Sequence, residues 1–319
     1  MTNSKQMDLG PAHCALDDVV QGQQLADHGA CSAARSPSHG GRRPRVGCGA
    51  EAASCVGGSR DRSGVPSRIM AHVGSQVYDA ISESYRDSKW LLFRHFVERY
   101  TVMELLGDLH DQTVLDMACG EGVYARQFKR AGAVDVIGVD ISPAMVALAE
   151  AQERAEPLGC RYVCADAAGY SPAAQVDVVM AIYLLNYART ADQLGRFGRA
   201  CFNALRPGGR LVGFNDNVRR PPRPEDLSLT KYGLERTCAR HPPREGDAIR
   251  YRMTNHDGRT FEFDNYYLQS ATYEAAMRDA GFKDLQWVDA MLDPVERTDP
   301  FWDDFMVQAP LTAFCATRT

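Results

Sequence analysis

Four acidic residues and two glycines in this chain are spaced like the lining of a nucleotide pocket: Asp116, Gly120, Glu121, Gly122, Asp140 and Asp166. The run Val114-Leu115-Asp116-Met117-Ala118-Cys119-Gly120-Glu121-Gly122 reads as a buried strand that ends in a tight glycine turn. Gly120, Gly122 and Ala125 formally satisfy G-x-G-x-x-A, and Asp140 closes the next predicted strand, as in a dinucleotide fingerprint. A turn of this kind needs backbone freedom, and side chains at its glycines would fill space that the ligand requires. Asp140 can accept both hydroxyls of a ribose, at roughly 1.5–3 kcal/mol per charge-assisted bond.

The remaining acids bear on which nucleotide it is. A pyrophosphate prefers an uncluttered, positive helix terminus. Asp116 in the strand and Glu121 in the turn place negative charge there instead. A cofactor that carries an ammonium and a sulfonium, such as S-adenosylmethionine, tolerates both carboxylates. No Gly-Lys-Ser/Thr follows the turn, which excludes a Walker A site. On the residues alone, S-adenosylmethionine leads and a dinucleotide remains the alternative.

The elements that must hold these residues alternate along the chain. Two helices are predicted between Val77 and Leu106, broken near Asp87-Ser88. Strands follow at Thr113 to Met117, Val136 to Val139, Tyr162 to Cys164, Val176 to Ile182 and Arg210 to Asn215. Helices separate them at Val123 to Arg130, from Ser142-Pro143 to about Glu156, and at Thr190 to Leu205; Ser142 is an N-cap and Pro143 suits the first helical position. Pro207-Gly208-Gly209 stops the last of these helices. Near-continuous apolar strands joined by helices imply a mostly parallel sheet covered on both faces. Beyond Asn217 the pattern becomes antiparallel, with strands at Tyr232 to Cys238, Ile249 to Asn255 and Thr260 to Tyr267 and a hairpin turn at His256-Asp257-Gly258-Arg259. A helix from Ser270 to Ala280-Gly281 and strands Asp284 to Val288 and Leu311 to Thr317 complete the chain.

Composition limits the partners. The 319 residues carry 36 basic and 41 acidic side chains, for a formal net charge of -5, so a nucleic-acid backbone is not an expected partner. No apolar run is long enough to span a membrane and no secretory segment is present, so the expected location is cytoplasmic. Every Phe, Trp and Tyr falls at or after Tyr78. Residues 1–70 can bury little apolar surface and read as a disordered or misannotated extension, with Met70 as a candidate start. Residues 71–319 read as one domain, with 218–268 as an insertion on the substrate side. Of the ten cysteines, Cys160 and Cys164 lack the second pair or nearby His of a zinc site and read as buried thiols. No metal site is expected.

From Val114 to Val212 the chain also resembles the class I S-adenosylmethionine-dependent methyltransferases, and more weakly over Tyr78 to Thr317. Val114 to Gly122 matches their first motif, Asp140-Ile141 the ribose and adenine positions, and Cys164-Ala165-Asp166-Ala167 the adenine-amine motif. Leu205 to Leu211 matches the turn into strand five. The resemblance implies a Rossmann-like α/β fold with a seven-stranded, mostly parallel sheet, helices on both faces and one terminal strand antiparallel. It implies cofactor contacts at Asp116, Ala118, Gly120, Gly122, Asp140, Ile141, Asp166, Ala167 and Ala181, the last near the end of strand four, which faces the transferred methyl. Tyr78 to Tyr85, Cys119 to Gly122 and Tyr183-Leu184-Leu185-Asn186-Tyr187 further resemble the toxoflavin synthase-like group, which methylates ring nitrogens of an azapteridine-type metabolite.

On the substrate side, Tyr78 and Tyr85 lie seven apart, close to two helical turns, and can share a face. Tyr183 and Asn186 follow strand four, Asn217 ends Asn215-Asp216-Asn217 after strand five, and Tyr266 offers an aromatic wall. His256 reads as a solvent residue at the hairpin tip rather than a base. No residue is identified as catalytic. The expected activity is methyl transfer to a small, planar, nitrogen-containing metabolite by a monomer or weak homodimer. Oxygen- or carbon-directed transfer is the alternative, and a non-catalytic nucleotide-binding scaffold the reading from another class.

Overall fold

The computed structural model describes residues 86–319. The expected tail, residues 1–70, and the substrate candidates Tyr78 and Tyr85 lie outside the described residues.

The strongly apolar Val176–Ile182 run forms β4, buried along nearly its whole length because strands flank it on both sides. Its neighbours are β1 (Thr113–Met117) and β5 (Leu205–Asp216), both parallel to it. Beyond β1 lie β2 (Asp135–Asp140) and β3 (Cys160–Cys164). Beyond β5 lie β10 (Leu311–Thr317) and β9 (Gln286–Asp289), giving the order β3-β2-β1-β4-β5-β10-β9. Only β10 runs against its neighbours, so the expected seven-stranded sheet with its last strand reversed is what the chain forms. The strand order reverses between β1 and β4, which opens a crevice at the carboxyl ends of those strands.

Both faces are covered. On one, α1 (Tyr100–Leu106), α2 (Val123–Arg130) and α3 (Pro143–Ala155) pack through Val102, Phe128 and Met145 onto Val136, Val178 and Phe214. On the other, α4 (Ala191–Ala204) and α5 (Ser270–Ala280) bury Leu194, Cys201, Tyr273 and Met277 against Leu115, Val179 and Leu211. The caps follow the sequence. Ser142 Oγ accepts from the Met145 amide and Thr190 Oγ1 from the Gln193 amide, satisfying N–H groups that the helix leaves open.

Three departures are physical. Pro207-Gly208-Gly209 does not stop before a new strand. Leu205 already pairs with Val176 and Arg210 with Val178, so residues 206–209 loop out of β5 as a bulge. The break near Asp87-Ser88 is a short 3-10 turn at Ser88–Trp90, and the helix that follows opens with a π-helical stretch, Arg94–Arg99, before α1. The helix α6 (Asp303–Gln308) was not expected, although Asp293-Pro294 and Asp299-Pro300 each cap a 3-10 turn just ahead of it.

The antiparallel strands β6 (Leu234–Cys238), β7 (Ala248–Thr254) and β8 (Thr260–Tyr266) form a sheet of their own. Alternation along β7 turns Ile249, Tyr251 and Met253 inward, where they join Phe93, Tyr232 and Phe305 in one apolar cluster.

Candidate functional site

At the carboxyl ends of β1, β2 and β3 the chain builds an acidic crescent. Ala118 and Gly120 both have left-handed backbones, at φ +67° and +56°, which folds the turn back over β2. Ala118 and Cys119 donate their amides to the Val139 carbonyl, locking the turn to that strand. A Cβ at Gly120 would meet nothing within 4 Å, so the open volume lies above this residue. Gly122 is glycine for another reason. Its φ is +82°, and a Cβ there would stand 2.5 Å from Tyr162 Oη. Among the described residues, space is thus open over Gly120, whereas a Cβ at Gly122 would meet a tyrosine from β3.

Asp140 ties the crescent together. Its Oδ2 accepts from the Gly120 amide at 2.8 Å and its Oδ1 from the Ser142 amide at 2.9 Å. A carboxylate offers about four lone-pair sites, more than these two bonds occupy. Asp166, exposed after β3, accepts from the Ala168 amide at 2.9 Å and is held in a turn beside buried Ala167. Ile141 is half-buried next to Asp140, Ala118 is half-buried in the turn, and Ala181 is fully buried in β4.

Asp116 and Glu121 stand apart from these. They are 1% and 2% exposed, yet among the described residues Asp116 Oδ2 and both oxygens of Glu121 have no hydrogen-bond partner. Burial pushes each carboxyl up to about 7, against the pull of the Lys89 ammonium. Burial also raises Asp140, offset by its Ser142 and Gly120 amide bonds. Burial thus holds both carboxyls close to neutrality, and a nearby positive charge would favour their ionised forms.

Across the crevice, beyond β4 and β5, lies a narrow aromatic cleft with about 20 Å³ of free space, room for about one water molecule. Phe93 and Arg94 come from the opening helix, Tyr183 and Tyr187 from the end of β4, and Tyr251, Phe263 and Asn265 from the small sheet. Two buried carboxylates support this cleft. Glu98 accepts from Tyr124 Oη at 2.9 Å, Tyr183 Oη at 2.5 Å and Arg94 at 3.0 Å. Asp216 accepts from Arg236 at 2.7 Å and from Tyr251 Oη. The hydroxyl protons of Tyr183 and Tyr251 both point at carboxylates, and Asn265 Oδ1 is buried without a partner among the described residues. Burial pushes both phenols well above the usual tyrosine range, and the adjoining carboxylates add to that shift.

The residues singled out on the substrate side divide. Tyr183 lines the cleft. Asn186 lies beneath it, 1% exposed, with Oδ1 accepting from the Asp216 amide at 3.4 Å. Asn217 points elsewhere, donating to the Ala309 carbonyl at 2.9 Å. Tyr266 sits on the outer face of β8 under the Arg189 guanidinium, whereas Phe263 and Asn265 occupy the inner one. His256 is at the hairpin tip, as expected, against the Trp90 carbonyl. The cysteines differ from expectation at one end of β3: Cys160 is buried and Cys164 exposed. Arg94, Glu98, Tyr251 and Asn265 were missed. The Arg94/Glu98 spacing of four within an apolar helix, and strict alternation along β7 and β8, are the signals that would have found them.

Among the described residues, no helix is long and apolar enough to cross a membrane. Residues 114–209 match the family model of a methyltransferase domain. The chain is 28% identical over 123 residues to a ubiquinone biosynthesis O-methyltransferase of Acinetobacter baumannii, covering 38% of this chain and 49% of that protein. It is 32% identical over 117 residues to a demethylmenaquinone methyltransferase of Thermus thermophilus, covering 36% and 51%. The chain thus spans about half the length of the curated relatives it matches. A crystal structure of an S-adenosylmethionine-dependent methyltransferase from Mesorhizobium loti superposes with a TM-score of 0.50 at 18% identity, covering 69% of this chain and 97% of that one. The architecture is the Rossmann-like fold of class I methyltransferases, with a separate antiparallel insertion.

Proposed function

We propose that this protein is an S-adenosylmethionine-dependent methyltransferase acting on a small metabolite, with the acidic crescent as cofactor site and the aromatic cleft as acceptor site. The observation that carries the reading is the set of buried carboxyl oxygens without a hydrogen-bond partner among the described residues, Asp116 Oδ2 and both oxygens of Glu121, set beside the open volume over Gly120. They fit a cofactor that carries an ammonium and a sulfonium and do not fit the pyrophosphate of a dinucleotide.

Bound there, S-adenosylmethionine supplies a methyl group on a positively charged sulfur, which is already a good leaving group. The chain has to hold, orient and exclude water. Asp116 and Glu121 face the cationic end. Asp140 accepts from the ribose hydroxyls with the lone pairs its backbone bonds leave free. Asp166 and the Ala167 backbone take the adenine amine, with Ile141 beside the ring. Ala118 shapes the turn, and Ala181 keeps the end of β4 slim beneath the methyl. Tyr183, Tyr187 and Phe263 would offer aromatic faces to a planar acceptor entering the cleft, with Asn186 and Asn217 bracing the loops behind it.

For the acceptor atom, the matched O-methyltransferase supports oxygen over the ring nitrogen suggested by the toxoflavin synthase-like resemblance. Calorimetry with S-adenosylmethionine and with NAD, followed by labelled-methyl transfer into a metabolite extract and mass spectrometry, tests both levels. Binding of NAD without S-adenosylmethionine would overturn the cofactor assignment. A label on nitrogen would overturn the oxygen acceptor alone.

A further inference from the structure

We infer that Tyr183 and Glu98 form a proton-accepting relay for the methyl acceptor, which makes a hydroxyl the reacting group. This rests on the methyltransferase reading above and goes beyond it by assigning catalytic work to the acceptor cleft.

Two backbone irregularities meet at one hydrogen bond. Glu98 lies in the π-helical stretch Arg94–Arg99, and such stretches are rare and concentrate at functional sites. Tyr183 follows β4 with a left-handed backbone, φ +60°, unusual for a bulky residue and characteristic of positions that the surrounding structure holds for function. Its amide donates to the Phe214 carbonyl at 2.8 Å, so the loop is fixed where the crevice opens. The phenol then reaches back to Glu98 Oε2 at 2.5 Å. Because its proton is committed to the carboxylate, Tyr183 Oη offers lone pairs to a hydroxyl donor in the cleft.

Glu98 is held in place for this role. Tyr124 from α2 and Arg94 from the same helical stretch both donate to it, and it is 0% exposed. The charged and titratable groups facing the pair are Arg94 and Tyr124, with Arg99 acting on Tyr124. Across the cleft, Tyr251 makes a similar bond to Asp216, but on the small sheet rather than at the end of a crevice strand.

The step balances. A lone pair on the acceptor oxygen forms the new O–CH3 bond, and the C–S bonding pair stays on sulfur, leaving a neutral thioether. The hydroxyl proton passes to Tyr183 Oη while the Tyr183 proton passes to Glu98, which ends as a neutral carboxylic acid and returns its proton to solvent before the next turnover.

The test uses 4-nitrocatechol, a hydroxylated ring whose absorbance reports its ionisation, titrated with pH on the full-length protein. Bound to the wild type, the probe is expected to ionise about one pH unit above the free probe, because a fixed acceptor for its proton favours the neutral hydroxyl and the Glu98 carboxylate behind it opposes a second negative charge. Tyr183→Phe and Glu98→Gln should each abolish that shift, and Tyr266→Phe, outside the cleft, should keep it. Tyr183→Phe retains the ring and removes only the oxygen, so it carries the test if Glu98→Gln unfolds on thermal melting. A shift that persists in Tyr183→Phe, an equal loss in Tyr266→Phe, or failure of the wild type to bind or ionise the probe would each overturn the relay. Calorimetry with S-adenosylmethionine is independent. If it shows no binding while the probe shift is intact, the methyl-donor reading falls and the proton-accepting pair stands.

Discussion

Glu121 and Glu98 are equally hidden from solvent and have opposite surroundings. Glu98 collects two phenols and a guanidinium. Glu121 has no hydrogen-bond partner for either oxygen among the described residues. The same contrast separates Asp216, paired with Arg236 and Tyr251, from Asp116, one of whose oxygens is orphaned. Buried polar groups in folded proteins are nearly always satisfied, so an orphaned carboxyl points outward to a ligand and a satisfied one to preorganised structure. Burial alone would have put all four residues in one class; accounting for their partners splits them between the two halves of the site.

The contrast can be broken most sharply by truncation. Asp216→Ala should cost about 3–5 kcal/mol in urea unfolding, because it strands the buried Arg236 without its counter-charge. Glu121→Gln should leave stability unchanged or raise it by about 1 kcal/mol, since no hydrogen bond among the described residues is lost and burial already disfavours the charge. Equal destabilisation by the two would erase the distinction.

Ligand affinity should run the other way. Glu121→Gln and Asp116→Asn are each expected to weaken S-adenosylmethionine binding about tenfold or more by calorimetry, the loss of one charge-assisted contact. Asn265→Leu, on the acceptor side, should leave that affinity within twofold. A tenfold loss from Asn265→Leu would put the cofactor in the aromatic cleft.

Acidity provides a gentler separation. Asp116 and Glu121 are raised to about 7 from ordinary carboxyl values near 4. The folded state therefore holds their protons more tightly than the unfolded one. Their contribution to stability is least unfavourable below pH 4 and worsens as pH rises from about 4 to about 7. A cationic ligand prefers the ionised pair, so its affinity should increase about tenfold between pH 6 and pH 8, with proton release on binding measured in buffers of different ionisation enthalpy. A flat profile would mean that neither carboxyl meets the cation. The smallest effect belongs to Tyr266→Phe. That ring packs under Arg189 outside the cleft, and the change should move stability by about 0.5 kcal/mol or less and leave acceptor binding unchanged.

How far the sequence could be read follows the same division. The acidic crescent is built from consecutive residues at strand ends, and the apolar period of β1, β2 and β4 was enough to place Asp116, Gly120 and Asp140 along one edge. β4, α2 and β10 run over the residues that periodicity marked. The cleft is assembled from segments far apart in the chain, and no local pattern joins Glu98 to Tyr183 or Asp216 to Arg236. Tyr266 was chosen for its ring, but alternation along β8 turns Asn265 inward and Tyr266 out. Sequence named the bulge residues at Pro207-Gly208-Gly209 but not what they do, since pairing of Leu205 with Val176 is a tertiary fact.

The small sheet has one more implication. Its strands, residues 234–266, are contiguous in the chain and pair only with each other, and a single buried guanidinium, Arg236, links β6 to Asp216 and to the Pro310 carbonyl. On the proposed reading, one wall of the acceptor cleft is thus encoded as one contiguous cassette, separate from the glycine turn. Such a cassette can diverge, or be exchanged between enzymes, while the cofactor chemistry stays constant.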